Sequence, residues 1–304
     1  MSERITSAML SGTTLRDINS ALGAMQRSAS ELSSGRSILE PSDNPYGASR
    51  AIELQSTIDG MSSYAAGAQD GISWTRTASS ALNNINEVSQ RVRELLVQAS
   101  NGVNNSTDRA AIAEEVDQLA ATVKQDANTQ YAGQYVFSGT LTSTPPYKSG
   151  AEDEYQGNTG QITRTIGPNA SLAINADIST VLGNGQESGD GKLLDTLRTI
   201  SQHLRSGVPA EQAALGSTDL KNLDLNLEAL STLQAGVGAT TAQMRIAASR
   251  IEDLQVTAAK VLSNTQDADL AKVSVAYSSE QAAYNAALRA GASIVQTSLL
   301  DFLH

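Results

Sequence analysis

Residues 51–99 read AIELQSTIDGMSSYAAGAQDGISWTRTASSALNNINEVSQRVRELLVQA. Small and apolar residues recur in steps of three and four through Ala51, Leu54, Ile58, Met61, Ala65, Ala68, Ile72, Thr75, Ser79 and Leu82. A single three-residue step then leads to Ile85, and the pattern resumes through Ser89, Val92, Leu96 and Ala99. Such a seam turns one stripe of a long helix toward partner helices. The step after Leu82 is a stammer in the heptad. The spacing therefore predicts one helix over about 46–100, with Gly60, Gly67 and Gly71 as places where it bends.

The same period appears on both sides of this helix. Upstream, Leu15, Ile18, Leu22, Met25, Ala29 and Leu32 form a seam that stops at Ser33-Ser34-Gly35, before a turn bounded by Pro41 and Pro45. Downstream, Asn101–Asn105 reads as a turn, and Ser106 or Thr107 is the expected cap of a third helix faced by Ile112, Val116, Leu119 and Val123. Helical spacing returns at Leu193, Leu194, Leu197, Ile200 and Leu204. It continues in a long seam through Leu220, Leu223, Leu227, Leu230, Val237, Met244, Ala248, Ile251, Ala258 and Leu262. The last helix carries Tyr277, Tyr284, Leu288, Val295, Leu299 and Phe302, and Asp267 and Asp269 suit the positive end at its start.

Between these helical parts the character changes. Residues 161–166 and 171–175 alternate polar and apolar around Gly167-Pro168-Asn169, as two short strands and a turn do. Residues 141–189 thus read as a small β-rich insert, its surface acidic through Glu152, Asp153, Glu154, Asp177 and Glu187. The predicted fold is mainly α with this small β-rich insert: an elongated multi-domain helical bundle whose N- and C-terminal helices pair as a coiled coil. Three domains follow: 1–40 with 265–304, a terminal coiled coil; 41–140 with 190–264, a helical bundle; and 141–189, the insert projecting outward.

Composition narrows the chemistry. The 304 residues carry a formal charge of −11, no cysteine and two histidines, His203 and His304. An acidic chain repels phosphate backbones and offers no polybasic anchor, so neither nucleic acid nor membrane is an expected partner. Without thiolates, and with the histidines far apart in sequence, no zinc site or Ser-His-Asp triad is expected. The glycine-rich run at 183–192 ends in Lys192 but has Gln186 where a phosphate loop needs its first glycine, and it reads as a flexible connection. The run around Asp267 and Asp269 lacks the glycine and glutamate of a calcium loop. No catalytic, cofactor or metal residue is assigned. The N-terminus has no apolar core of a secretory signal, which by that sign alone places the chain in the cytoplasm.

Three stretches resemble one family. RITSAML (4–10), with the Leu15–Leu32 seam and SSGRSILEPSDNPYGASRA (33–51), is similar to the N-terminal region of flagellins. DANTQYAGQYVFSGT (126–140) resembles the motif that precedes their variable insert, and residues 264–304 resemble their C-terminal helix. Within the family, Asn44-Pro45 and the ending SLLDFLH favour a hook–filament junction protein over a filament flagellin.

The resemblance implies a structural, non-enzymatic protein, secreted by the flagellar type III system without a cleaved signal. It would form a ring with itself between hook-associated protein 1 and the first flagellin subunits, aided by a cytoplasmic export chaperone. Subunit contacts are expected at Leu15, Ile18, Leu22, Met25, Tyr277, Tyr284, Leu288 and Phe302. Two alternatives stay open: a minor filament flagellin, and a secreted coiled-coil adhesin. The stripes themselves fit either an intramolecular bundle or contacts between subunits.

Overall fold

The structure is a computed structural model describing the backbone of residues 2–100, 105–148, 150 and 153–302, with side chains at 9 and from 11 to 293 within that range. Helix α1 spans Ser2–Ser34, α2 Pro45–Ser100 and α3 Ser106–Ala127. Two short strands, β1 (Gln130–Tyr131) and β2 (Gln134–Tyr135), pair antiparallel, as do β3 (Thr163–Gly167) and β4 (Ala170–Ala173). The chain then forms α4 (Ser179–Leu182), α5 (Leu193–Arg205), α6 (Pro209–Ala214), a π-helical turn (Leu215–Asp219), α7 (Leu220–Gln266) and α8 (Leu270–Phe302). The predicted mainly α fold, with helices on both sides of a β-containing segment, is the one observed.

Residue contacts divide the chain into two compact units: residues 1–60 with 254–304, and residues 61–253. The second unit holds one continuous hydrophobic core. Every residue of the α2 seam from Ala68 to Ala99 is buried or half-buried, and Trp74, Ala78, Ala81 and Leu95 form a second buried stripe beside it. A helix covered on more than one side needs more than the narrow seam of a two-stranded coil. Val116, Leu197, Leu223, Leu230 and Met244 complete the core.

Segment 141–189 is part of that core. Tyr147, Ile174, Ile178, Val181 and Leu182 lie in the same cluster as Trp74. Its named strands are β3 and β4, at the two runs where the alternation predicts them, while the 130–135 hairpin lies upstream of the segment. That hairpin turns on Ala132 and Gly133, both at positive φ, the combination a two-residue turn requires. Asp153, assigned above to an acidic surface, is buried. It meets the buried Lys124 of α3 at 3.1 Å, and its other oxygen accepts from the Gln186 amide at 2.9 Å.

Helix α2 is one continuous helix through its glycines. At Gly67 and Gly71 the missing side chain admits neighbours: a Cβ on Gly67 would lie 2.9 Å from the Thr165 carbonyl oxygen, and one on Gly71 would lie 3.0 Å from the Met244 methyl. The run at 183–192 is braced rather than loose. Asp190 accepts from the amides of Asn184 and Lys192, Asp195 accepts from that of Gly191, and Tyr147 donates its hydroxyl proton to the Gly183 carbonyl. Four of its glycines take positive φ, which L side chains resist. The cap of α3 is Asn105, one residue before the expected Ser106, in a reciprocal capping box with Asp108.

Candidate assembly surface

The first unit is built on α1 and α8, which pack against each other. Thr14, Ile18, Ala21, Met25, Ser28 and Leu32 recur at heptad spacing on the covered face of α1, and Val273, Tyr277, Glu280, Tyr284, Ala287 and Gly291 do so on α8. Close approach is visible at Gly291, where a Cβ would stand 3.1 Å from Ile18 Cδ1 and 3.3 Å from Thr14 Cγ2. The residues filling this seam are small or polar at several levels. Ser28 is buried, and one carboxylate oxygen of Glu280 is shut from solvent with no hydrogen-bond partner. A seam so composed gains little from burial, because each methylene removed from water contributes only about 0.8 kcal/mol and a buried unpaired oxygen opposes it.

The turn between α1 and α2 is better secured. Gly35, at φ 70°, ends α1 in the left-handed conformation favoured after helices. Its carbonyl accepts from the Ala268 amide, and the Ser37 amide and hydroxyl both donate to Gln266, so the α1–α2 and α7–α8 connections clasp each other. The Asp43 carboxylate accepts from the amides of Glu40 and Leu39 and pairs with Arg27 at 2.9 Å. Those backbone bonds, helped by Arg27, hold its pKa below the ordinary carboxylate value. Asn44 caps α2 by accepting from the Gly47 amide at 2.9 Å, and Pro45 occupies the first helical position, where no N–H is needed. A Cβ on Gly47 would lie 2.6 Å from Ile38 Cδ1 and 2.7 Å from Asn44 Nδ2, so a side chain here would displace the Ile38 methyl and the capping Asn44.

Most of the exposed apolar surface also belongs to this unit. Among the described side chains, eleven of sixteen exposed large hydrophobics lie in it: Met9, Leu15, Leu39, Tyr46, Ile52, Leu254, Val256, Val261, Leu270, Val275 and Leu288. Its buried apolar side chains are few, chiefly Ala51, Leu54 and Leu262 with Ile58 against them, and Val273. The residues expected at subunit contacts separate accordingly. Leu15 and Leu288 face solvent, at 59% and 41% exposure, while Ile18, Leu22, Met25, Tyr277 and Tyr284 are half-buried in their own unit. The Phe302 side chain lies outside the described residues. The seam missed Tyr46 (83% exposed), Ile52, Val256 and Val275, because it selects the covered stripe. Apolar residues standing off that stripe were the available signal.

In the second unit, Asp70 of α2 joins both hairpins to the helix. It accepts from Tyr131 at 3.3 Å and from Arg164 at 2.6 Å, and Tyr131 sets its ring edge-to-face on Trp74 at 6.0 Å. Among the described residues no three His, Asp or Glu side chains cluster closely enough to hold a metal ion, and no helix is long and apolar enough to cross a membrane.

A unit of paired terminal helices that leaves eleven large apolar side chains exposed, in a chain whose second unit is well packed, has the character of a helical assembly subunit. The chain matches the bacterial flagellin N-terminal helical region over residues 5–142. It is 29% identical to flagellin FlaB2 of Treponema pallidum over 90% of this chain and 89% of the relative. It is 32% identical to a flagellin of Clostridium tyrobutyricum over 58% of this chain, and spans about half of that relative's length, 45% of it. The solved flagellar hook-associated protein 3 of Legionella pneumophila shares the fold, with a TM-score of 0.62 at 16% identity over 70% of this chain and 98% of that one.

Proposed function

We propose that the chain is a non-enzymatic structural subunit of the bacterial flagellum, seated at the hook–filament junction as a hook-associated protein 3. The observation that carries the proposal is the concentration of exposed apolar side chains on the unit that contains α1 and α8. In water these faces cost free energy at about 25 cal/mol per Å², and neighbouring subunits would cover them. The terminal segments 1–40 and 265–304 would then lie innermost, 41–140 with 190–264 around them, and 141–189 outermost. The partners would be further copies in a ring, hook-associated protein 1 on one side, flagellin on the other, and an export chaperone before secretion. The final location would be the extracellular flagellum, reached without a cleaved signal. The fold shared with the Legionella pneumophila protein and the Asn44-Pro45 turn support the junction position.

A minor filament flagellin is the second reading, favoured by the near full-length match to a flagellin. Deleting the gene separates the two. Under the junction reading, electron microscopy finds hooks without filaments and unpolymerised flagellin accumulates in the medium. Intact filaments contradict it, and self-polymerisation of the purified chain supports the flagellin.

A further inference from the structure

Residues 209–266 would form a single helix but for the π-helical turn at Leu215–Asp219. A π-turn holds one residue more than an α-turn and widens the helix locally. Here it serves burial. Leu215 and Leu223 are eight residues apart, which in an unbroken α-helix places them about 80° apart around the axis. Both are nonetheless buried, at 1% and 0% exposure. The extra residue turns Leu215 back toward the core face that Leu223 and Leu230 occupy. The same turn buries Asp219, 2% exposed, whose carboxylate meets His203 Nδ1 of α5 at 2.7 Å. An ionised carboxylate only accepts, and against one the proton of that bond would sit on Nδ1.

Two local forces thus oppose each other. Regular α-helical hydrogen bonding favours expelling the extra residue, while burial of Leu215 and the His203–Asp219 bond favours keeping it. We propose that Leu215–Asp219 is a two-register element latched by His203. With the bond made, α6 and α7 are out of α-helical phase by one residue. With it broken, the turn anneals to α-helix, and residues 209–218 rotate by about 100° and slide by about 1.5 Å relative to α7. Such a step changes the face that α6 presents while leaving α7 seated in the core. In a subunit of an assembly, it gives one sequence two discrete surface arrangements.

Gly216 supplies the reporter. A Cβ at this position would lie 3.1 Å from Ser100 Cβ at the end of α2, a few tenths of an ångström inside the Cβ separation of a disulfide. The chain has no cysteine of its own, so S100C/G216C makes a unique pair. In the full chain, oxidation of this pair should be rapid. Adding His203→Phe or Asp219→Leu should slow it at least tenfold, while the emission of Trp74, the only tryptophan, keeps its buried position. Asp219→Asn, whose side-chain oxygen still accepts from Nδ1, should oxidise within threefold of the parent pair. Unchanged oxidation in both His203→Phe and Asp219→Leu overturns the latch. Loss of the buried Trp74 emission in both also overturns it, since the pair would then be a support of the whole core.

Discussion

The two units of this chain use one heptad pattern for different ends. In residues 61–253 the seam of α2 shares one core with residues of α3, α5 and α7, and the side chains it buries include Leu82, Ile85 and Leu96 at 2% exposure or less. In residues 1–60 with 254–304 the same spacing yields a seam of half-buried residues between α1 and α8, with apolar residues left outside it. Apolar periodicity therefore tells where a helix has a partner but not how completely that partner covers it. Coverage depends on how many elements the chain brings to the helix. The second unit brings many, whereas the seam of α1 is met by α8.

The sharpest way to break this contrast is a pair of truncations. Leu197→Ala, in the closed core, should destabilise the second unit by about 2–5 kcal/mol, the cost of lost burial and a cavity. Leu15→Ala, on an exposed face, should stay within about 0.5 kcal/mol. Chemical denaturation followed by Trp74 emission for Leu197→Ala, and by circular dichroism for both, checks the pair. Equal effects would mean that the two regions do not differ.

A second test concerns the buried ion pair of the second unit. Lys124→Met leaves the Asp153 carboxylate without its cation and should cost about 3–5 kcal/mol, whereas replacing both partners with apolar residues should recover most of the loss. A double-substitution cycle on thermal stability measures the difference.

Much of this was legible in the sequence, for reasons tied to particular residues. The seam from Ala51 to Ala99 and the one from Leu220 to Leu262 are long enough that a helix is the only element matching them, and each of their positions is buried or half-buried. The Pro41–Pro45 turn was equally plain. The brace of the 183–192 run was not, because its aspartates accept from amides brought near by turns that the glycine content alone does not specify. Asp153 looked like a surface charge because its cation, Lys124, lies 29 positions away on another element. Trp74 stands off the seam of α2, and Tyr131 of the hairpin at 130–135 packs edge-to-face on it. Of the residues expected at the assembly surface, Ile18, Leu22, Met25, Tyr277 and Tyr284 are half-buried in their own unit and only Leu15 and Leu288 are exposed, while Tyr46 and Val275 stand off the seams that the spacing selects.

Smaller effects sharpen the contrast from the side of the first unit. Asn44→Ala removes the cap of α2 and should cost about 1 kcal/mol, detected as lost helicity at the 35–47 turn by hydrogen exchange. Asp43 gives this turn a pH dependence. Its folded pKa lies below the unfolded value, so its stabilisation is present above the unfolded pKa and disappears as pH falls through the folded one. Hydrogen exchange at Leu39 and Glu40 should therefore lose protection on acidification into that range, and Asp43→Asn should flatten the dependence.

The most direct measurement is to place a charge at Leu288, exposed on α8, and ask whether the chain still assembles. Leu288→Asp should leave the Trp74-monitored unfolding of the second unit unchanged while abolishing incorporation at the hook tip and swimming in cells that carry only the variant. Normal incorporation and swimming by Leu288→Asp would contradict the assignment of the α1–α8 face to contacts between subunits.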